Sequence, residues 1–248
     1  MDQAFYKEYF HIERTHWWFR SRALIIADMI TKVIALPKNS SILNVGAATG
    51  QSSLLLAQFG TVKSLEYDAT CCQITKETLG IDIVQGSILD LPYPDDSFDL
   101  VCCFDVIEHV EDHYESAQEL KRVCKPGGYI IITVPAFNFL WSEHDDINQH
   151  YRRYTRPALE PLFKDGLKQI FVSYFNCLLF LPIAAFRIIS RLFPKRKSLS
   201  RSGSDNSISS GYWSNLIFFP ILRSEKYFLG SRISFPFGVS LMGIWQKL

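Results

Sequence analysis

A chain of 248 residues is long enough for one large domain, or one domain with an insertion, and for a substantial buried core. Its 26 basic and 25 acidic side chains leave a formal net charge of +1, so no molecule-wide field points to nucleic acid and any basic function must be local. Six cysteines include the neighbours Cys71–Cys72 and Cys102–Cys103, an arrangement poor for disulfides or zinc pairs that predicts buried, reduced thiols.

The first residues, MDQAFYKEYFHIERTHWW, lack the basic-then-apolar order of a signal peptide, which predicts a cytoplasmic protein. Residues 1–36 read as helical: Leu24, Ile25, Met29, Val33 and Leu36 recur at helical spacing, and Pro37 ends the pattern. Strands and helices then alternate. Strands are predicted over 41–46, 62–67, 81–86 and 98–104, with helices over 51–59 and about 70–79 between the first three. A helix over 113–124 leads through Pro126-Gly127-Gly128 into a fifth strand, YIIITVPA. TRPALEPLFKDGL predicts a helix capped by Thr155 with Pro157 in its first turn, and KQIFVSYF a sixth strand. FGVSLMGIWQKL predicts a closing strand. Near-continuous apolar strands alternating with helices imply a parallel sheet covered on both faces, with ligands bound beyond the carboxyl ends of the strands.

The segment between the sixth and closing strands departs from this alternation. LLFLPIAAFRIISRLFP and YWSNLIFFPILRSEKYFL are apolar and aromatic, and KRKSLSRSGSDNSISSG between them predicts disorder. The uninterrupted apolar run from Cys177 to Phe186 is too short to cross a bilayer, which needs about 20 residues. Arg187, Arg191, Lys195, Arg196 and Lys197 follow it, a basic flank suited to an anionic membrane surface. A helical pair packed on the domain or on a second subunit fits the same pattern. The predicted division is a helical cap over 1–40, a ligand-binding core over 41–176, an apolar insertion over 177–230 and a closing strand within 231–248.

The first strand breaks into VGAATGQSS, where Gly46 and Gly50 allow a tight turn that aims backbone amides at a ligand. The spacing is neither the three-glycine dinucleotide signature nor a triphosphate loop, which disfavours a nicotinamide oxidoreductase. Glu66 follows Gly46 by 20 positions, close to the spacing at which an acid reaches ribose hydroxyls, and a carboxylate accepts two hydrogen bonds from a vicinal diol.

LNVGAATG, LEYD, QGSILDLPYPDDSFDLVCCFDVIEHVED and ELKRVCKPGGYIIITVP stand in an order and spacing that resemble the class I S-adenosylmethionine-dependent methyltransferases, especially their small-molecule branch. The resemblance covers residues 40–136 strongly and the rest more loosely. It implies a doubly wound α/β fold with a mostly parallel, seven-stranded Rossmann-like sheet, interrupted by the apolar insertion before the last strand. It also implies S-adenosylmethionine as cofactor. Gly46, Ala47 and Gly50 would then line the methionine side, with Asn44 beside them. Glu66 would hold the ribose, Ser87 and Ile88 the adenine edge, Tyr67 an adenine face, and Phe104 and Asp105 would lie below the sulfonium. The family usually carries Asp at Asn44, Gly at Ala48 and often Asp at Ser87. The two lost charges imply weaker cofactor binding or compensation elsewhere, and a catalytically inactive scaffold with this fold is the alternative.

Methyl transfer to a hydroxyl or activated carbon needs a proton acceptor. The candidates are His109 in DVIEHVEDH and His144 and His150 in WSEHDDINQHYRRYTR. Arg152 and Arg153 in the latter segment suit an anionic acceptor or an ion-pair network. The His and Asp spacing there matches no standard ligand set, so no metal is expected. HWWFRSR (16–22) is a candidate aromatic cap over the site, or a helix stapled to the domain. The fourth strand ends in FDVIEH rather than the Asn/Asp-Pro-Pro-aromatic sequence of many N-methyltransferases, which favours an oxygen or carbon of a small-molecule or lipid-linked acceptor.

Overall fold

The computed structural model describes residues 3–192 and 212–248. Seven strands form one sheet in the order β3-β2-β1-β4-β5-β7-β6. They are β1 (Ser40–Val45), β2 (Gly60–Glu66), β3 (Ile83–Gln85), β4 (Phe98–Phe104), β5 (Cys124–Pro135), β6 (Leu167–Phe175) and β7 (Ser240–Lys247). The first five pair in parallel, and β7 runs antiparallel between β5 and β6. Strand order reverses between β1 and β4, which puts the ligand crevice at their carboxyl ends.

Alternation along the central strands builds two cores. Ile42, Leu100, Cys102, Ile131 and Ile244 face α2 (Trp17–Val33), which contributes Ile25, Ile26, Met29, Ile30 and Val33. Leu43, Val45, Val101, Cys103, Ile130 and Ile132 face α5 (His113–Val123), which contributes Ala117, Leu120 and Val123. Cys102 and Cys103 therefore point to opposite sides of the sheet, and all six cysteines are free.

The helix expected over 1–36 is two helices, α1 (Gln3–Thr15) and α2, broken at His16. His16 is extended (φ −77°, ψ 132°), and its ring accepts the amide of Trp18, so the break is a capped helix start. The helices between the first strands are α3 (Gln51–Leu56) and α4 (Ala69–Leu79). After β5 come a short α6 (Glu143–Ile147) and α7 (Arg156–Leu159), which begins after Thr155 with Pro157 in its first turn. There the expected longer helix tightens into a 3-10 turn over Glu160–Phe163, where Pro161 lacks the amide needed to continue an α-helix.

The insertion holds α8 (Phe180–Leu192) and α9 (Tyr212–Gly230). The basic linker expected to be disordered, 195–211, lies outside the described residues. α9 packs along α2: Leu229 joins the core, and Leu222 meets Trp17 and Leu179. Glu225 ties α9 to the end of β6 by accepting the amide of Leu178 at 2.9 Å. The outer faces remain apolar and exposed, led by Leu181 and Trp213 at 72% each, with Phe186, Ile189, Leu216 and Ile217 about half exposed. Among the described residues no helix is long and apolar enough to cross a membrane.

Candidate functional site

The loop after β1 is a backbone turn held at three points. Gly46 (φ 72°) and Gly50 (φ 80°) take left-handed conformations, as does Ala48 (φ 44°) at the position where the family usually has glycine. The amides of Gly46 and Ala47 both donate to Leu65 O, at 2.9 and 3.0 Å. Glu66 accepts the amide of Ala48 at 2.9 Å through Oε2, and those of Tyr67 and Asp68 through Oε1. Glu66 thus fixes the loop. A Cβ at Gly46 would collide with the Val106 side chain, so the β1 and β4 loops pack directly on one another there.

Asn44 is fully buried, and its amide donates to Ser52 and Ser53 Oγ at 2.8 and 2.9 Å. It ties β1 to the start of α3 beneath the loop instead of lining the crevice, because a side chain at this point of β1 faces the helix. Tyr67, Gly86 and Ser87 border an open cleft of about 520 Å³ at the ends of β2 and β3. Tyr67 is 76% exposed, its ring uncovered above that cleft. The side chain of Ile88 belongs to the core, not to the cleft surface. Ser87 Oγ accepts the amide of Leu89, which orders the turn.

The carboxyl end of β4 carries the charged part of the site. Asp105 sits at φ 55°, a left-handed conformation Asp tolerates, and pairs with Arg22 of α2 at 2.5 Å. Thr133 of β5 accepts from Arg22 and donates to Asp105 at 3.1 Å. Phe104 is half-buried against the α2 side of the core. α1 lies across this end: Glu13 accepts from Thr49 Oγ1, and burial, with Glu13 next in weight, raises the Tyr9 phenol well above its usual pKa. Residues 16–22 are therefore a staple, with Trp17 buried against α8 and α9 and Arg22 entering the site.

Two of the three predicted histidines meet. His109, on the 3-10 turn Ile107–His109, and His150, on the loop after α6, have ring centroids 4.5 Å apart at 84°. His144 stands behind, 6.2 Å from His150, its ring beside the amide of Asn148. His109 Nδ1 bonds Asn148 O and His150 Nδ1 bonds Asp145 Oδ1, both at 2.8 Å. One face of the His109 ring is open to solvent, and desolvation of the rest, followed by the neighbouring His150, pushes it down to about 4, so its imidazole is neutral at neutral pH.

The 141–156 segment is anchored by its arginines. Arg153 donates to both oxygens of buried Asp145, at 2.8 and 2.9 Å. Burial alone would raise the Asp145 carboxyl, but bonds from His150 and Arg153 outweigh it and hold it well below its usual range. Arg152 donates to Val110 and Glu111 carbonyls. Both arginines bond the protein's own backbone and carboxylate, as in the ion-pair network that is one of the two readings of this segment. Next to His109, Glu108 is fully buried and raised well above its usual pKa, by burial first and Asp105 second. Sequence reading overlooked Glu108, Thr133 and Glu13, whose roles come from contacts between distant segments.

Residues 43–132 match the methyltransferase domain family. A protein of Mycolicibacterium smegmatis named a probable S-adenosylmethionine-dependent methyltransferase is 30% identical over 122 residues, covering 48% of this chain and 46% of its own. A demethylmenaquinone methyltransferase of Bacillus licheniformis is 29% identical over 112 residues, covering 42% and 48% respectively. Residues 43–132 thus match a methyltransferase domain, and the chain is similar there to S-adenosylmethionine-dependent methyltransferases.

It spans about half the length of those two curated relatives. The fold likeness is broader than the sequence match. An S-adenosylmethionine-dependent methyltransferase from Thermotoga maritima superposes with a TM-score of 0.60 at 16% identity, covering 99% of this chain and 98% of that one. The family match ends within β5, so α1, the His144–Arg153 segment and the insertion all lie outside it. The histidine pair accordingly joins one residue from the matched region to one from beyond it.

Proposed function

We propose that the protein transfers the methyl group of S-adenosylmethionine to an oxygen or carbon of a small-molecule or lipid-linked acceptor. The observation that carries this is the crevice at the β1/β4 switch. Left-handed backbone follows β1, Glu66 ends β2 and holds that loop, Asp105 follows β4, and His109, paired with His150, stands on the turn just beyond it. In this reading Gly46, Ala47 and Gly50 hold the methionine end, and Glu66 takes the ribose diol with lone pairs left over from its backbone bonds. Tyr67 closes over the adenine, and Ser87 with the Ile88 backbone meets its edge. Asn44 keeps the loop in shape from below, and Phe104 and Asp105 border the sulfonium. Cofactor binding then depends on backbone geometry more than on the charges absent at Asn44 and Ser87.

Methyl transfer is an in-line displacement in which the protein supplies position and a dry environment. His109, neutral near pH 7, and His150, aligned by Asp145, present basic nitrogens to the acceptor. The exposed apolar faces of α8 and α9 support an acceptor held at a lipid surface, and the demethylmenaquinone relatives support an apolar small molecule. Six free cysteines support a reducing, cytoplasmic setting.

Titration calorimetry with S-adenosylmethionine and its demethylated product tests the reading. Both bind in the expected outcome, and Gly46→Ala, which must meet Val106 from a left-handed backbone, weakens them more than about tenfold. The engagement of Glu66 by three backbone amides favours a second reading, an inactive scaffold of this fold. Absence of binding by either compound at saturation establishes that alternative.

A further inference from the structure

We propose that Glu108, His109 and His150 bind a divalent first-row transition-metal ion, with zinc the test case. Their donor atoms all lie within 4.8 Å of one another. Glu108 is fully buried, and neither of its carboxylate oxygens has a hydrogen-bond partner. Such a group is rare in a folded interior unless an ion, a water or a ligand completes it.

The two imidazoles are arranged as ligands are. Asn148 O and the Asp145 carboxylate can only accept, so each Nδ1 that meets them at 2.8 Å carries the proton. Both rings therefore turn Nε2, the remaining ring nitrogen, away from those anchors. Metal-bound histidines are oriented this way, the second ring nitrogen donating to a carboxylate or carbonyl. Arg153 keeps Asp145 ionised and in place as the outer partner of His150.

Two imidazoles and one carboxylate suit zinc or ferrous iron and leave coordination positions open, whereas magnesium and calcium prefer all-oxygen sets. Ligands around a bound ion stand about 3.4 Å apart, so the donors close by up to roughly 1.4 Å, a side-chain adjustment. His109 is exposed on one side, which leaves a path for the ion and an open position for an acceptor. No sequence motif marks the set, since Glu108 and His109 follow β4 and His150 comes from beyond β5.

The use of this ion rests on the methyl-transfer reading. With the ion bound both imidazoles are ligands in place of bases, and an acceptor hydroxyl coordinated at the open position loses its proton to solvent more readily. Its oxygen then forms the bond to the methyl carbon as the carbon–sulfur bond of the sulfonium breaks, and the electron pair stays on the neutral thioether.

The test uses the full chain, stripped with chelator and titrated with zinc by calorimetry, with magnesium as control. Cobalt substitution is followed by visible absorption. The expected result is one zinc per chain, no comparable magnesium binding, and cobalt bands of low coordination number. His109→Ala and His150→Ala each weaken zinc more than about tenfold, and His11→Ala does not. Should Glu108→Gln fail to fold, the His109 variant, altered at an exposed residue, still decides. Absence of stoichiometric zinc, or affinity unchanged in both histidine variants, overturns the proposal. Separate titration with the demethylated cofactor separates the two readings: zinc without cofactor leaves the metal site standing and removes methyl transfer, and cofactor without zinc does the reverse.

Discussion

At Asp145 a fully buried carboxylate bonds the Arg153 guanidinium through both oxygens and the His150 ring through one. Such a pair adds little stability over an apolar substitute, but removing one partner strands a buried charge. Arg153→Met is therefore expected to cost about 3–5 kcal/mol, measured as the shift in urea unfolding followed by circular dichroism. A loss below 1 kcal/mol would mean that Asp145 finds water or another donor. The same substitution frees His150 from its orientation, so ring geometry and stability depend on one contact. Residue identity alone did not distinguish this positioning role from recognition of an anion, because Arg152 and Arg153 have the same chemistry in either case.

Among the elements, α9 shows how an insertion becomes part of a core. Leu222 and Leu229 face inward, and Glu225 caps the chain leaving β6. Burial raises the Glu225 carboxyl to about 7, above its usual 4.5, while the amides it accepts pull the other way. The native state therefore holds this proton more tightly than the unfolded chain, and stability falls as pH rises from about 4.5 to about 7. The wild type is expected to lose roughly 2–3 kcal/mol across that window, and Glu225→Gln to flatten it. Urea midpoints at mildly acidic and mildly alkaline pH measure this, and an equal slope in the variant would place the titration elsewhere. The strands show the opposite case. Their apolar runs were plain in sequence because a sheet buried on both faces tolerates few polar residues.

For the whole molecule, the crevice lies at one end of the sheet, with α1 laid across it and α8 and α9 alongside. Leu181, Phe186, Trp213, Leu216 and Ile217 make an apolar surface beyond what an isolated exposed side chain represents. We expect the protein to partition onto vesicles containing anionic lipid, and Leu181→Glu with Ile217→Glu to reduce the bound fraction severalfold in co-sedimentation. Equal partition by wild type and double variant would assign that face to a protein partner. The orientation matters for the proposed acceptor, since a surface beside the crevice brings a lipid-linked group within reach.

The alternation of strand and helix, the turn at Gly46 to Gly50 and the acid at Glu66 were legible because each arises within about 25 residues, from hydrophobic periodicity and backbone stereochemistry. The histidines were visible as candidates, but not their pairing. Only the tertiary structure brought His150 to His109, left Glu108 without a partner and sent Arg22 to Asp105, since these contacts join segments separated by whole strands. Loop packing, not local preference, sets such distances, and a linear pattern carries no record of which side chains face one another across a crevice.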